Sequence, residues 1–158
     1  MERHTIIITV ANRIGVLARI AGLLSSRGYN IESIIGAPTE NPDVYKIHLV
    51  IMGTERNIEQ ITKQLNKLID TIKVTDISHE KNYFVREFIL IKVKALKNRS
   101  EIFELINIFK AKVIDVTRTH ITIDLSGPSL KIERFIDLLR PFGIKEFVRT
   151  GTIAVSKN

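Results

Sequence analysis

The hydrophobic and polar positions of this chain change their spacing in a regular order. Residues 4–11 are rich in β-branched side chains, which is typical of a central strand. From Gly15 onward the apolar positions recur every three or four residues, which predicts an amphipathic helix that ends at Gly28. The apolar stripe of this helix consists of Val16, Leu17, Ile20, Leu23 and Leu24.

Three more strands and a second helix follow in the first half of the chain. Residues 30–37 and 44–52 predict two strands, joined by a hairpin whose turn is rich in proline and polar residues. Thr54 opens a helix, and a fourth strand covers about 71–77. The apolar stripe of the second helix consists of Ile58, Ile61, Leu65, Leu68 and Ile69. The order β-α-β-β-α-β predicts the split βαβ arrangement of ferredoxin-like folds.

A polar break at residues 79–82 separates this half from a second half with the same order. Strands are predicted at 84–95, 113–116, 120–125 and 144–150, with 152–155 as an extension of the last strand. Ser100 is expected to cap the first helix of this half. The predicted helix cores are Ile102, Phe103, Ile106 and Phe109, then Ile132, Phe135, Ile136 and Leu139.

The sequence therefore predicts an α+β protein with two tandem ferredoxin-like βαββαβ units, at residues 1–78 and 83–158. In such a unit both helices cover one face of the sheet. Apolar residues occur on both faces of strands 4–11 and 84–95. We expect a partner to cover the second face, and another copy of the chain is the simplest candidate.

Composition restricts the chemistry and the compartment. Of the 158 residues, 44% are hydrophobic and none is cysteine, so disulfides and thiolate chemistry are excluded. There is no apolar stretch long enough to span a bilayer, and the first residues lack a signal-peptide cleavage pattern. These features favour a cytoplasmic protein that does not contact membranes.

The positive charge of the chain is concentrated in its second half. The net charge is +7 and the pI is about 9.8. Residues 1–78 have 9 Lys and Arg against 8 Asp and Glu, whereas residues 79–158 have 15 against 9. A lysine-rich solvated surface is the first explanation, a docking surface for an acidic protein the second, and nucleic-acid binding the third. The basic residues closest in sequence are Lys92, Lys94, Lys97, Arg99, Lys110 and Lys112.

The chain lacks the residue patterns that enzymes and RNA-recognition modules use. His4, His48, His79 and His120 are scattered without the spacing of metal ligands, and no nucleotide-binding or nucleophile motif occurs. RNA-recognition sheets stack bases on aromatic residues of their central strands. The first predicted strand has no aromatic residue, and the third has only Tyr45. We therefore expect neither an enzyme nor a nucleic-acid-binding protein.

The segment from Asn12 to Gly15 has the chemistry of a carboxylate-binding site. It joins a strand to a helix, so the N–H groups of Gly15, Val16 and Leu17 are expected to be free at the helix start. Gly15 would let a ligand approach the backbone. A simpler alternative is that Asn12 only caps the helix and Gly15 only makes the turn.

Several motifs of this chain resemble those of a known family. The pattern Asn12-x-x-Gly15-Val16-Leu17-x-Arg19-Ile20 resembles the first loop and helix of ACT domains. The segments GYNIES at 28–33 and APT at 37–39 are similar to those of the small regulatory subunit of acetohydroxy acid synthase, or acetolactate synthase. Further similar stretches lie at 60–70, 85–87, 114–117 and 148–151, so the resemblance covers nearly the whole chain.

This resemblance implies a non-catalytic regulatory subunit of branched-chain amino-acid biosynthesis. The first unit would be an ACT domain, the protein would activate the large catalytic subunit, and valine would act as feedback inhibitor. Thiamine diphosphate, magnesium and FAD would be bound only by the large subunit, and this chain would bind no cofactor or metal.

The resemblance also implies where the effector binds. ACT domains of this family pair side by side into a homodimer with an eight-stranded sheet, and the effector lies at the interface. Asn12, Gly15, Val16 and Leu17 would come from one protomer, and Asn30 and Ile31 from the other. An alternative is a stand-alone amino-acid-sensing ACT module of a transcriptional or other regulator, but no helix-turn-helix is visible in the sequence.

Overall fold

The computed structural model describes residues 2–158, which form two compact units. The first unit contains the chain up to Phe84 together with Thr152–Asn158, and the second is Val85–Gly151. The last seven residues therefore group with the first unit, although the sequence placed them with the second half. The functional roles expected for residues 1–78 and 83–158 stay predictions.

The first unit has the predicted order β-α-β-β-α-β. Its elements are β1 (Glu2–Ala11), α1 (Val16–Ser26), β2 (Ile31–Pro38), β3 (Val44–Gly53), α2 (Glu55–Asn66) and β4 (Thr71–Asp76). The antiparallel sheet has the order β2-β3-β1-β4, so β1 is central and β2 is an edge. As expected, Thr54 caps α2, because its hydroxyl accepts the Asn57 N–H at 3.3 Å.

Alternation along the strands separates the two faces of this sheet. Ile6, Ile8 and Val10 of β1 pack against the helices, in a core that includes Val16, Ile20, Leu24, Ile58, Ile61 and Leu65. Two residues predicted to belong to the helix stripes lie outside it. Leu17 is 44% exposed because the buried line of α1 has a strict spacing of four, and Ile69 is 88% exposed because α2 ends before it.

The second unit repeats the same plan. Its elements are β5 (Tyr83–Lys94), α3 (Arg99–Phe109), β6 (Lys112–Val116), β7 (His120–Gly127), α4 (Ser129–Leu139), a short 3-10 helix (Arg140–Phe142) and β8 (Ile144–Arg149). The antiparallel order is β6-β7-β5-β8. Ile89, Ile91 and Val93 of β5 pack against α3 and α4, and the ring of Phe135 lies 5.1 Å from that of Phe109.

Two details of the predicted helix in the second unit are wrong. The cap of α3 is Asn98, without a side-chain hydrogen bond, so Ser100 lies inside the first turn. Beside this helix start, the Arg99 guanidinium donates to the carbonyls of Ala95 and Thr117. Phe103, expected in the core, is 37% exposed.

The final strand, β9 (Ile153–Ser156), is a separate element. Gly151 has a φ of +81°, a left-handed conformation that turns the chain after β8, so the predicted simple extension is wrong. β9 pairs with β5, whose first two residues belong to the first unit. The carbonyl of Ala154 accepts a hydrogen bond from His48 Nε2 at 3.0 Å. The C-terminal segment therefore contacts the face of the first sheet that the helices leave open.

All four α-helices are short, with 11 or 12 residues each. Within residues 2–158, no helix has the length and apolar character needed to cross a membrane.

Candidate functional site

Hydrogen bonds from two neighbouring turns fix the loop between β1 and α1. The N–H of Ala11 donates to the Asp70 carbonyl at 2.8 Å, and the N–H of Asn12 donates to the Asp43 carbonyl at 2.8 Å. The side-chain amide of Asn12 donates to the Pro42 carbonyl at 2.9 Å. The loop is thus held between the β2–β3 hairpin and the turn before β4. The Asn12 side chain therefore contacts the hairpin and does not cap α1.

Gly15 is the residue that turns the chain into α1. It has a φ of +85°, in the left-handed region that residues with a Cβ adopt only at a cost. A Cβ built on it would lie 3.4 Å from Nη1 of Arg19. Glycine therefore sets the direction of the helix start and leaves its backbone uncovered.

The first turn of α1 offers backbone N–H groups to an external acceptor. The N–H of Val16 makes one long bond to the Arg13 carbonyl, at 3.4 Å. Within residues 2–158, the N–H groups of Gly15 and Leu17 have no acceptor. Because the helix dipole adds positive potential at the same place, this turn favours a carboxylate.

These groups border a cleft of about 260 Å³ between the loop, α1 and β3. Its lining residues are Val10, Ala11, Asn12, Arg13, Gly15, Val16, Leu17 and Tyr45. This lining includes four of the six residues predicted to bind an effector, namely Asn12, Gly15, Val16 and Leu17. The other two, Asn30 and Ile31, lie at the start of the edge strand β2 and do not line the cleft. Their contribution from a second protomer stays a prediction.

The sequence did not indicate Tyr45 as a lining residue. Tyr45 lies opposite Val10 in the β1–β3 ladder, and its ring crosses Gly36 of β2. A Cβ on Gly36 would lie only 2.4 Å from Cε1 of Tyr45. The available signal was the glycine inside a predicted strand, which marks a close approach by another group.

Asp70 joins the two arginines of the loop and the helix. Its side chain is 5% exposed and pairs with Arg19 of α1 and, at 3.5 Å, with Arg13 of the loop. Arg13 is 71% exposed and borders the cleft. Sequence spacing gave no sign of this contact because Asp70 lies more than 50 residues after both arginines.

Two of the four histidines, which looked scattered in the sequence, are close together in the fold. His4 Nδ1 lies 3.3 Å from an Asp76 carboxylate oxygen, and the rings of His4 and His79 are 6.0 Å apart. Nevertheless, in the described part of the chain no three His, Asp or Glu side chains are arranged to hold a metal ion.

Comparison with known proteins gives consistent matches along the chain. The family described as the small subunit of acetolactate synthase matches residues 86–158, and the AHAS small subunit-like ACT domain matches residues 6–73. The acetolactate synthase small subunit of Bacillus subtilis is 48% identical, over 98% of this chain and 91% of its own length. The probable acetolactate synthase small subunit of Archaeoglobus fulgidus is 47% identical, over 97% of this chain and 96% of its own length.

A solved structure shows the same arrangement of elements. The crystal structure of the acetolactate synthase small subunit from Thermotoga maritima matches with a TM-score of 0.89 and 37% identity. The match covers 99% of this chain and 98% of that one. The two ferredoxin-like units thus agree in fold with a solved relative.

Proposed function

Because the chain belongs to the family of acetolactate synthase small subunits, we propose that it activates the large catalytic subunit and confers feedback inhibition by valine. The small subunit is the regulatory one, it pairs with the large subunit, and catalysis lies in the latter. Thiamine diphosphate, magnesium and FAD then act in the large subunit, and this chain contributes regulation without a cofactor of its own. The complex works in the cytoplasm.

One observation supports the effector site most directly. On one side of the cleft, the first turn of α1 has backbone N–H groups without an acceptor, and on the other side lie apolar side chains. The N–H groups of Gly15 and Leu17 bind the effector carboxylate, and the Asn12 amide contributes to its polar end. Leu17 and Tyr45 contact the isopropyl group. Burial of a valine side chain contributes about 1.5–3 kcal/mol. Hydrogen bonds to a charged carboxylate contribute ~1.5–3 kcal/mol each before ordering costs.

A second protomer completes this site in our proposal. β2 is an edge strand, so its free backbone groups are available for side-by-side pairing of two ACT domains. Asn30 directly precedes that strand and Ile31 begins it, and both reach the effector bound by the neighbouring copy. A ligand between protomers has a higher affinity for one dimer geometry than for another. Allosteric regulation requires such a difference in affinity.

Mixing the purified chains tests the regulatory role. Adding this protein to its cognate large subunit should raise acetolactate formation several-fold, and millimolar valine should then reduce it toward the rate of the large subunit alone. Leucine and isoleucine, assayed in parallel, identify the preferred effector. If the mixture has the activity of the large subunit alone and no branched-chain amino acid changes it, the proposal is wrong.

Calorimetry tests the location of the effector site. Asn12→Ala and Gly15→Asp should each weaken valine binding at least tenfold, the second because its carboxylate repels that of the ligand. Gly22→Ala is the matched control, since Gly22 lies within α1 and an added Cβ meets no atom within 4 Å. Circular dichroism should show folded protein in all three. Unchanged affinity in both site variants would refute this location while leaving the regulatory role open.

Sedimentation velocity tests the need for two protomers. The protein should sediment as a dimer at micromolar concentration, with one valine site per protomer at the interface. Valine should shift any monomer–dimer equilibrium toward the dimer. A monomer that binds valine with full affinity would exclude the shared site.

A further inference from the structure

Arg13 is the one charged residue that lines the effector cleft in the described part of the chain. Eight residues line this cleft, and the other seven are apolar or uncharged polar residues. The Arg13 side chain is 71% exposed, so it lies at the rim and reaches solvent. A guanidinium always carries its charge and has five N–H donors in a planar fork, but no acceptor. Arg13 therefore offers the cleft a permanent cation that binds acceptors and anions.

The backbone of Arg13 is fixed beside the start of α1. Its N–H donates to the Ala11 carbonyl at 2.9 Å, and its carbonyl accepts the N–H of Val16 at 3.4 Å. Arg13 also lies two residues before Gly15, whose N–H has no acceptor among residues 2–158. The side chain of Arg13 can therefore change its direction while its point of attachment stays next to the free N–H groups of Gly15 and Leu17.

The ion pairs behind the loop leave an excess of positive charge. Asp70 is 5% exposed and contacts Arg19 and, at 3.5 Å, Arg13. Two guanidinium groups and one carboxylate have a net charge of +1 (2 − 1). Nη1 of Arg19 lies 3.4 Å from the position that a Cβ on Gly15 would take, so this charge adjoins the helix start. The positive end of the α1 dipole lies at the same place, and both favour an anion there.

The contact between Arg13 and Asp70 is weak and leaves Arg13 available. It joins Nη1 to Oδ1 at 3.5 Å, beyond the usual range of an N–H···O hydrogen bond, and Arg19 is the closer partner of Asp70. Ion pairs of exposed side chains contribute little to stability. By contrast, a carboxylate in the cleft can accept two parallel N–H bonds from the guanidinium fork. Asp70 thus keeps Arg13 near the cleft through one of its nitrogens.

We propose that Arg13 binds the effector carboxylate, together with the N–H groups of Gly15 and Leu17. This proposal rests on the effector site proposed above and adds a residue that was not among the six predicted from the sequence. The N–H groups of the helix start bind any carbonyl oxygen, charged or neutral, because they are ordinary hydrogen-bond donors. Arg13 adds a charge that only an anion can match, so the cleft selects free amino acids over their uncharged amides and esters.

Calorimetry with valine and valinamide tests this role in the intact protein. Valinamide keeps the isopropyl and ammonium groups of valine but has a neutral amide in place of the carboxylate. At about pH 6.5 the ammonium of both ligands is charged, since an α-amino group has a pKa of about 7.7–8.0. The two ligands then differ mainly in the charge that Arg13 is proposed to bind.

Three variants are compared with the unmodified protein. Arg13→Gln removes the charge, and Arg13→Lys keeps the charge without the planar fork. The control is Arg27→Gln, which makes the same charge change at an exposed residue just beyond the other end of α1. Arg27 is about 16 Å from the helix start along the axis. Circular dichroism should show folded protein in all three.

Arg13→Gln should bind valine about tenfold more weakly than the unmodified protein, because charge-assisted hydrogen bonds are lost. Its affinity for valinamide should stay within about twofold, because the amide offers the guanidinium no negative charge. Arg13→Lys should recover part of the valine affinity, since lysine retains the positive charge. Arg27→Gln should bind both ligands within about twofold of the unmodified protein.

A salt series gives a second measurement that does not need the amide. An increase in ionic strength from about 0.01 M to about 0.15 M shortens the screening length from ~30 Å to ~8 Å. Because Arg13 is largely exposed, the valine affinity of the unmodified protein and of Arg27→Gln should fall over this range. The fall should be smaller in Arg13→Gln.

Three results would refute the role of Arg13 and leave the effector site in place. The first is an unchanged valine affinity in Arg13→Gln. The second is an equal loss of affinity for valine and valinamide, which would mean that Arg13 only positions the loop. The third is an equal loss of valine affinity in Arg27→Gln, which would indicate a general effect of charge. If the unmodified protein binds none of valine, leucine and isoleucine, the effector site itself fails, and the role of Arg13 fails with it.

Discussion

Arg19 of α1 and Asp70, in the turn before β4, form an ion pair directly behind the proposed effector loop. Asp70 is 5% exposed while Arg19 is 47% exposed, so the carboxylate is buried and the cation reaches solvent. The backbone carbonyl of the same Asp70 accepts the N–H of Ala11 at the end of β1. One residue thus fixes both the strand end and the helix start that border the cleft.

Asp70→Asn should therefore weaken both stability and valine binding. The neutral amide keeps the shape but loses charge-assisted bonds, whose contribution is about 1.5–3 kcal/mol. Urea unfolding measures the first effect, and calorimetry should show several-fold weaker valine binding. Glu59→Gln is a suitable control, because it breaks the exposed Glu59–Lys63 pair on α2 and should change neither quantity appreciably. Valine binding at full strength in Asp70→Asn would show that the pair does not position the loop.

Gly36→Ala should disrupt the wall of the cleft. The new Cβ would collide with the Tyr45 ring, which cannot move away without a rotamer change or a shift of β2. We expect a loss of about 1–3 kcal/mol in unfolding free energy, the usual range for overpacking. The double variant Gly36→Ala/Tyr45→Ala should recover part of that loss, because the colliding ring is gone. Strictly additive single and double variants would contradict the contact.

The contact between His48 and the C-terminal segment should make stability depend on pH. Burial is the main cause that lowers the pKa of His48. The hydrogen bond to Ala154 raises this pKa, whereas the positive charge of Lys46 lowers it further. In the unfolded chain, His48 has its ordinary pKa of about 6.5 and therefore binds a proton more tightly than it does in the folded protein. The contribution of His48 to stability is therefore fully present above about pH 6.5, and it declines as the pH falls below that value.

Urea unfolding between pH 8 and pH 5 measures this dependence. His48→Gln keeps a donor for the Ala154 carbonyl but cannot be protonated, so its unfolding free energy should decline less in this range. A residual decline is expected from His120, whose pKa is also lowered. Identical pH profiles for the two proteins would exclude His48 as the responsible group.

Arg149→Met should destabilise the second unit strongly. Glu87 is fully buried and accepts bonds from Arg149 and Ser129. Burial alone would lower the pKa of Arg149, but its bonds to Glu87 and Glu133 raise it above its ordinary value. Removal of the cation takes a charged partner away from a buried carboxylate, which costs about 3–5 kcal/mol.

Differential scanning calorimetry should show this loss for Arg149→Met. Arg140→Met is the control, because Arg140 and its partner Asp137 are both mostly exposed and should contribute little. Equal melting temperatures for the two variants would mean that the buried pair is not needed for stability.

The sequence alone determined the order and the class of the elements. The change between a period of two and a period near 3.6 follows from local backbone geometry, so it predicted both βαββαβ units, confirmed by the fold. The segment from Asn12 to Leu17 could also be singled out, because a strand end, a glycine and a helix start are adjacent in the chain.

Only the tertiary structure decided what surrounds that segment. Asp70 and Tyr45 reach it across the ladders of the sheet, whose register depends on the packing of whole strands and is not encoded in local spacing. The C-terminal segment likewise contacts the open face of the first sheet through a turn at Gly151 that no periodicity revealed. Long-range pairing is settled by burial of the entire apolar face, and therefore by the fold as a whole.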